Sequence, residues 1–221
     1  MGPEERRLRQ GIIDQCRWMN HIGLNQGTSG NISARFEDVM LITPSATPYE
    51  AMTPEMLAAM PLVGDSEDGA YSGPCKPSTE WRFHRDILLA RPDVGAVVHT
   101  HSTYATVLAM AHREIPACHY MIAAFGGASI PCCGYARYGT QALSDRVLAA
   151  LGKDCHGCLM ANHGMLAVGS NLEKAMWLAV ELETFAMQYY LSLQLQGGAG
   201  ILDHGQIEEV RAGFKTYGRR D

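Results

Sequence analysis

Lysine is scarce in this chain: its 221 residues contain only Lys76, Lys153, Lys174 and Lys215. None falls in an apolar strand whose burial would lower its pKa. Lys76 reads as loop, Lys153 follows a helix, and Lys174 and Lys215 sit on amphipathic helices. An imine mechanism, which needs a deprotonated lysine, is therefore disfavoured. Basic clustering is also lacking. Eighteen Lys+Arg against 23 Asp+Glu give a formal charge of −5, scattered without a basic stripe or tail, which argues against a nucleic-acid partner. Neither a Walker A nor a G-x-G-x-x-G sequence occurs, so nucleotide binding has no support.

Long unbroken apolar runs are missing as well. The longest uncharged stretch, Ile115 to Ala136, has the length of a membrane span, but Pro116, Gly126, Gly127, Pro131 and Gly134 interrupt it. It reads as buried loop and strand, with no membrane partner. The N-terminal MGPEERRLRQ is charged and has no apolar core of the secretory kind. Seven cysteines are an odd number for a disulfide framework. A reducing cytoplasm is the expected compartment, with the thiols acting as small core residues. No repeat of 20–50 residues is visible. What the chain does have is length for one domain over residues 1–221, and nine histidines.

Periodicity sets out the elements. Leu8, Ile12, Cys16, Met19 and Ile22 recur at helical spacing over residues 4–22, with Gly23 as the stop. Asn31–Phe36 and Val39–Thr43 read as two short strands around Glu37-Asp38. Thr53-Pro54-Glu55 reads as a helix start, residues 64–77 as an exposed polar loop, and Ser78 as the cap of a helix to Ala90. A strand over Val94–His101 and a helix over Ser102–Ala111 follow. Thr140 caps a helix to Leu151, and Gly157–Val168 reads as one central strand. Ser170 to Glu173 form a capping box before a helix to Leu195, and Asp203 to Gln206 cap a last helix near Tyr217. This irregular alternation suits a mixed sheet covered by helices on both faces.

The sharpest local signal is Val97-Val98-His99-Thr100-His101. Residues two apart on a strand share a face, so two imidazoles project together and can share a divalent cation. His163, in the apolar run Met160–Val168, is a third candidate, since a buried imidazole must find a partner. Three histidines with an open position describe a catalytic metal site, against the plainer reading of an edge feature and a hydrogen-bonded core histidine. Glu80, at a helix start, suits a base or fourth ligand, or simply a partner for the helix dipole. Cys155-His-Gly-Cys158 has C-x-x-C spacing but no second pair, which argues against structural zinc.

Gly27-Thr28-Ser29-Gly30-Asn31 combines a flexible backbone with hydroxyl and amide side chains, a pattern suited to an anion nest. Thr43-Pro44-Ser45 and Ser78-Thr79 are two further hydroxyl clusters. Each alone is an ordinary turn or cap; their convergence would make a phosphate site.

Several segments in order resemble one family. Gly23–Asn31 (GLNQGTSGN), Pro77–His84 (PSTEWRFH), Val97–His101 (VVHTH) and Asn162-His-Gly164 resemble the class II aldolase/adducin family. His119–Ala124, Leu172–Leu178 and Phe214–Gly218 bring the likeness nearest to its L-fuculose-1-phosphate aldolase branch, from about Leu8 to Gly218. The resemblance implies an α/β fold, a single-domain three-layer αβα sandwich with a mixed, mostly antiparallel sheet. It implies a zinc ion on His99, His101 and His163, with Glu80 at the metal in the empty site and serving as acid/base once substrate displaces it. It implies that Thr28, Gly30, Asn31, Ser45, Ser78 and Thr79 hold a substrate phosphate. Tyr120 matches a tyrosine that reaches the site from a neighbouring subunit, and Tyr217 a C-terminal tyrosine that closes over it. Tyr138 matches a position in the aldehyde-facing wall.

A homotetramer with interfacial active sites and a phosphorylated-sugar substrate follow from the same likeness. The activity it implies is cleavage of a ketose 1-phosphate to dihydroxyacetone phosphate and an aldehyde. The sugar would be of the fuculose, 5-deoxyribulose or 5-methylthioribulose 1-phosphate type. The family's epimerases and dehydratase, and its non-catalytic adducin-head module, remain alternatives. Ala46 for glycine, Thr79 for a second serine and Tyr138 for phenylalanine depart from the branch's pattern.

Overall fold

Pro3 at the first helical position and Glu4 and Glu5 in the first turn open α1 (Pro3–His21), where acids complement the helix dipole. The buried stripe of this helix runs Ile12, Ile13, Cys16 and Met19, and Gly23 ends it at φ +75. The computed structural model describes residues 1–63 and 68–214. Strands β1 (Asn31–Phe36) and β2 (Val39–Ile42) form a hairpin about Glu37 and Asp38. Beyond them the expected helix at Thr53 is a single 3-10 turn, Pro54–Met56, which leads into strand β3 (Ala58–Pro61). That strand pairs with β2 through Met40↔Met60, and pairing in the sheet outweighs the helix signal of the local sequence.

Helix α2 (Trp81–Ala90) begins two residues later than a Ser78 cap requires, with Glu80 as its N-cap residue. The fully buried β4 (Ala96–Thr100) precedes α3 (Thr103–Met110). The uncharged stretch after α3 is loop and short strand, as expected. It comprises β5 (Ile115–Pro116), a 3-10 turn over Tyr120–Phe125, β6 (Ser129–Ile130) and β7 (Cys132–Cys133). Helix α4 (Gln141–Leu151) carries the expected cap, Thr140 Oγ1 accepting from the Leu143 amide at 3.3 Å.

The single strand expected over 157–168 is two, β8 (Gly157–Met160) and β9 (Gly164–Gly169). The chain reverses at Asn162, whose φ is +57. Helix α5 (Leu172–Ser192) is capped by Asn171, not Ser170, through Asn171 Oδ1 and the Lys174 amide at 2.8 Å. The last described helix, α6 (His204–Phe214), has the expected reciprocal box between Asp203 and Gln206. Among the described residues no helix is long and apolar enough to cross a membrane.

The main sheet has the order β3-β2-β1-β4-β9-β8-β7, antiparallel throughout except for the β7–β8 pair. Its two faces are covered separately. Ile32, Ala34, Ala96 and Val98 pack with α1, α3 and α5, whereas Val97, Leu166 and Val168 pack with α2 and α4. Strand alternation therefore assigns Asn31, Ser33 and His99 to the α2 side. Asn31 is the direct cross-strand neighbour of His99. This α/β sandwich, with its mixed and mostly antiparallel sheet, is the architecture expected.

Candidate metal centre

Three segments meet at one end of the central strands. His99 is the next-to-last residue of β4, and His101 follows the strand end. His163 enters from the β8–β9 turn rather than from within a strand. Glu80 comes from the residue before α2. One ligand atom from each of Glu80, His99, His101 and His163 lies within 4.8 Å of the others. Glu80 Oε2 is 3.2 Å from His99 Nε2, and Glu80 Oε1 is 3.0 Å from His163 Nε2. His101 Nε2 stands 3.1 Å from His99 Nε2.

The chemistry of this donor set fits a cation. His99 Nδ1–H donates to the Met165 carbonyl at 2.8 Å, so in the neutral ring Nε2 carries a lone pair. That lone pair faces a carboxylate oxygen and a second imidazole nitrogen, both electron-rich. Glu80 Oε1 is buried and has no hydrogen bond of good geometry. A divalent ion among the four atoms satisfies all of them, and the His99–Met165 bond is the usual outer partner of a metal-bound imidazole. Burial pushes the Glu80 carboxyl up, but the His99 and His163 imidazoles more than offset this and hold it well below the usual carboxylate range. Burial first, then His99 and His163, push His101 down to about 4. Glu80 is thus an anion and His101 a neutral ligand near pH 7.

Two glycines allow this approach of chains. A Cβ on Gly30 would stand 2.6 Å from the His99 carbonyl, and one on Gly164 2.5 Å from the Thr100 carbonyl. Tyr49 Oη donates to the Gly30 carbonyl at 2.6 Å, and Ser29 Oγ donates to Asn25 Oδ1 at 3.0 Å, fixing the glycine-rich turn. The two other hydroxyl segments are joined by a bridge at Pro44↔Pro77, with the Ser45 amide donating to Lys76 and the Ser78 amide to Thr43. Ser78 Oγ accepts from the Glu80 amide at 3.3 Å. Thr43 Oγ1 in turn accepts from the Ile32 amide beside Asn31. The segments bearing Thr28, Gly30, Asn31, Ser45, Ser78 and Thr79 are therefore tied together next to the cluster. Asn31 itself points its amide at Glu80 Oε2, at 3.0 Å.

A pocket of about 290 Å³ opens on the cluster, lined by Thr79, Glu80, His101, His163, Tyr138, Tyr135, Ala136 and Asn162. Tyr138 is one of its lining residues, and Tyr135 and Asn162 line it as well, with no role expected for either from the sequence. Tyr120 is half exposed and lines a different cavity of this chain, with Met121 and Phe214. Tyr217 lies outside the described residues. All seven cysteines are free, and among the described residues Cys155 and Cys158 join no metal-ligating group. His84 was also missed, although it stands in the PSTEWRFH segment; a lone histidine on an amphipathic helix gives no sequence signal of its partners.

A profile described as "Class II Aldolase and Adducin N-terminal domain" matches residues 10–190. The chain is 45% identical over 217 residues to the L-fuculose phosphate aldolase of Escherichia coli K12, covering 98% of each. It is 49% identical over 211 residues to a Rhodospirillum rubrum 5-methylthioribulose-1-phosphate/5-deoxyribulose-1-phosphate aldolase, covering 96% of this chain and 92% of the relative. A solved L-fuculose 1-phosphate aldolase superposes with a TM-score of 0.87 at 32% identity, over 95% of this chain and 96% of that one.

Proposed function

This chain belongs to the class II aldolase and adducin family, and from that premise we propose that it is a metal-dependent aldolase cleaving a ketose 1-phosphate to dihydroxyacetone phosphate and an aldehyde. The observation that carries the reading is the convergence of Glu80, His99, His101 and His163 within 4.8 Å. The substrate is of the fuculose 1-phosphate or 5-deoxy-/5-methylthio-ribulose 1-phosphate type. The cation is zinc, held by the three imidazoles, which suits a nitrogen-rich site that keeps an open position.

A cation there supplies the Lewis acidity that stabilises negative charge as the C3–C4 bond breaks. The chain's own groups do the rest. Thr28, Gly30, Ser45, Ser78 and Thr79 hold the phosphate through amides and hydroxyls, with Asn31 at the edge of that cradle. Because the net charge is −5, capture of the anion depends on these local donors. Glu80, anionic and beside the ligands, takes up one proton, which balances the one lost from the C4 hydroxyl, and delivers it to C3 of dihydroxyacetone phosphate. Tyr120 of the partner subunit assists removal of the C4 hydroxyl proton, and Tyr217 closes over the site. Tyr138, with Tyr135, walls the aldehyde side. This reading takes residues 1–221 as one catalytic unit, assembled as a cytoplasmic homotetramer.

The test is direct. Purified protein is assayed for bound metal and for dihydroxyacetone phosphate released from fuculose, 5-deoxyribulose and 5-methylthioribulose 1-phosphates. Release from at least one, abolished by chelation and restored by zinc, is the expected result. Bound metal with no cleavage of any of the three would move the chain to the family's epimerase or dehydratase chemistry. Absence of metal binding would leave an adducin-like module.

A further inference from the structure

His84 lies on the inner face of α2 with no exposed surface, its ring stacked on Phe83 at 4.6 Å between centroids. A buried imidazole needs partners for both nitrogens, and β1 supplies them. Ser33 Oγ is 2.7 Å from His84 Nδ1, and Asn31 Oδ1 is 2.5 Å from His84 Nε2. Asn31 Nδ2 then donates to Glu80 Oε2 at 3.0 Å. Burial, reinforced by the nearby His99, pushes His84 down to about 3, so the ring is neutral and has a single N–H.

The direction of this chain of bonds is fixed from its charged end. The Glu80 carboxylate only accepts, so the Asn31 amide must turn its NH₂ toward Glu80 and its oxygen toward His84. His84 must then donate from Nε2, which leaves Nδ1 to accept the Ser33 hydroxyl. Flipping Asn31 would set its oxygen against a carboxylate oxygen and cost two hydrogen bonds in a buried site. Each member therefore has one state, and the Asn31 donor is aimed by groups that touch neither metal nor substrate.

We propose that Ser33, His84 and Asn31 form a positioning relay that aims Glu80, fixing the carboxylate for proton transfer. It rests on the reading of Glu80 as the proton carrier and goes beyond it by naming what orients that group. Without the relay, Glu80 keeps its charge and its imidazole neighbours but loses the donor that sets its rotamer. Proton transfer is then slowed, while the phosphate keeps the amide and hydroxyl donors of Thr28, Gly30, Ser45, Ser78 and Thr79.

Two measurements test this, and the first does not depend on activity. Histidine-selective ¹⁵N NMR of the zinc-loaded full chain, with His84 assigned by its loss in His84→Gln, is expected to show a neutral Nε2–H tautomer at neutral pH. An Nδ1–H tautomer or an imidazolium at His84 would overturn the relay. The second is kinetic. His84→Phe keeps the shape and the stack on Phe83 but removes both hydrogen bonds. Its kcat is expected to fall about 10–100-fold, with KM changed by less than about twofold and zinc retained. His84→Gln, whose amide can donate to Asn31 and accept from Ser33, is expected to recover most of that loss. Unchanged kcat in His84→Phe, or a folded His84→Gln no better than His84→Phe, overturns the proposal. Should His84→Phe fail to fold, Ser33→Ala leaves the ring and Asn31 in place, so the Nε2–H tautomer that Asn31 requires is expected to persist; a shift to Nδ1–H there would count against the relay. If the wild-type protein cleaves none of the ketose phosphates, the functional reading fails, and the NMR result still decides the hydrogen-bond relay.

Discussion

His99 Nδ1, on β4, donates to the main-chain carbonyl of Met165, on β9, at 2.8 Å. This one bond makes the sheet part of the metal centre. The strand pairing that buries Val97 and Val98 also fixes which nitrogen of His99 faces the site, so ligand geometry is inherited from a ladder that the fold needs anyway.

Loss of metal should follow loss of any imidazole that the ladder or turn delivers. His99→Ala and His163→Ala are expected to lose bound metal and activity together, measured as metal per subunit and as dihydroxyacetone phosphate release. Glu80→Gln keeps the three imidazoles, so it is expected to retain metal yet fail to exchange the dihydroxyacetone phosphate C3 proton with solvent. Exchange at the normal rate in Glu80→Gln would remove Glu80 from the proton-carrying role.

The glycine-rich turn is held against the metal strand. Gly30→Ala would place a methyl 2.6 Å from the His99 carbonyl and 2.8 Å from Asn25 Oδ1, a clash costing about 1–3 kcal/mol. Tyr49→Phe removes the 2.6 Å bond to the Gly30 carbonyl, at about 1–2 kcal/mol for a buried hydrogen bond. Both are expected to raise KM for the sugar phosphate more than they lower kcat. A Tyr49→Phe protein with wild-type KM and wild-type melting temperature would show that the turn needs no such brace.

Ala46 adopts φ +51, a left-handed conformation that disfavours a Cβ. Ala46→Gly relieves about 1–2 kcal/mol of strain and gives back part of it through a more flexible unfolded chain. The net expectation is a gain of up to about 1 kcal/mol in chemical denaturation. A clear loss of stability would mean that the Ala46 methyl makes a contact worth more than the strain.

Acid should act on His84. Its pKa falls from 6.5 in the unfolded chain to about 3 in the folded one. Between those values the unfolded state binds a proton that the folded state refuses, so this contribution is whole above pH 6.5 and lost as pH falls toward 3. Each pH unit in that window costs about 1.4 kcal/mol. From pH 6.5 to pH 5 the wild type is expected to lose about 2 kcal/mol more stability than His84→Phe. Equal losses in urea unfolding at the two pH values would exclude His84 as the source.

Among the described residues no lysine lines the pocket on the metal cluster, and Lys174 lies over the Trp177 ring at 3.8 Å instead. Borohydride added together with dihydroxyacetone phosphate is therefore expected to leave activity intact, while a chelator removes it. Irreversible inactivation by borohydride would restore the imine route.

Much of this was open to reading along the chain. The H-x-H alternation is local physics, because a strand places positions two apart on one face, so His99 and His101 could be read as candidates for one shared site. The helical spacing over residues 4–22 and the caps at Thr140 and Asp203 were likewise local and match the structure. Where tertiary pairing competes with local propensity, the sequence misleads. Thr53-Pro54-Glu55 has every mark of a helix start, yet the edge of the sheet takes Ala58–Pro61 as a strand. The run Met160–Val168 is apolar but for Asn162 and His163, and the left-handed turn at Asn162 divides it and swings His163 toward β4.

The sequence by itself determined the kind of chemistry: few lysines, paired histidines on a strand, and hydroxyl-rich turns without a nucleotide fingerprint. These depend on residue type and short spacing, and no folding is needed to see them. Only the tertiary structure decided which groups act together. Asn31 and Glu80 are far apart in the chain and meet because β1 lies beside β4 under α2. His84 gains its role from the same packing, since a buried imidazole takes its tautomer from its partners, and β1 brings both of them to it.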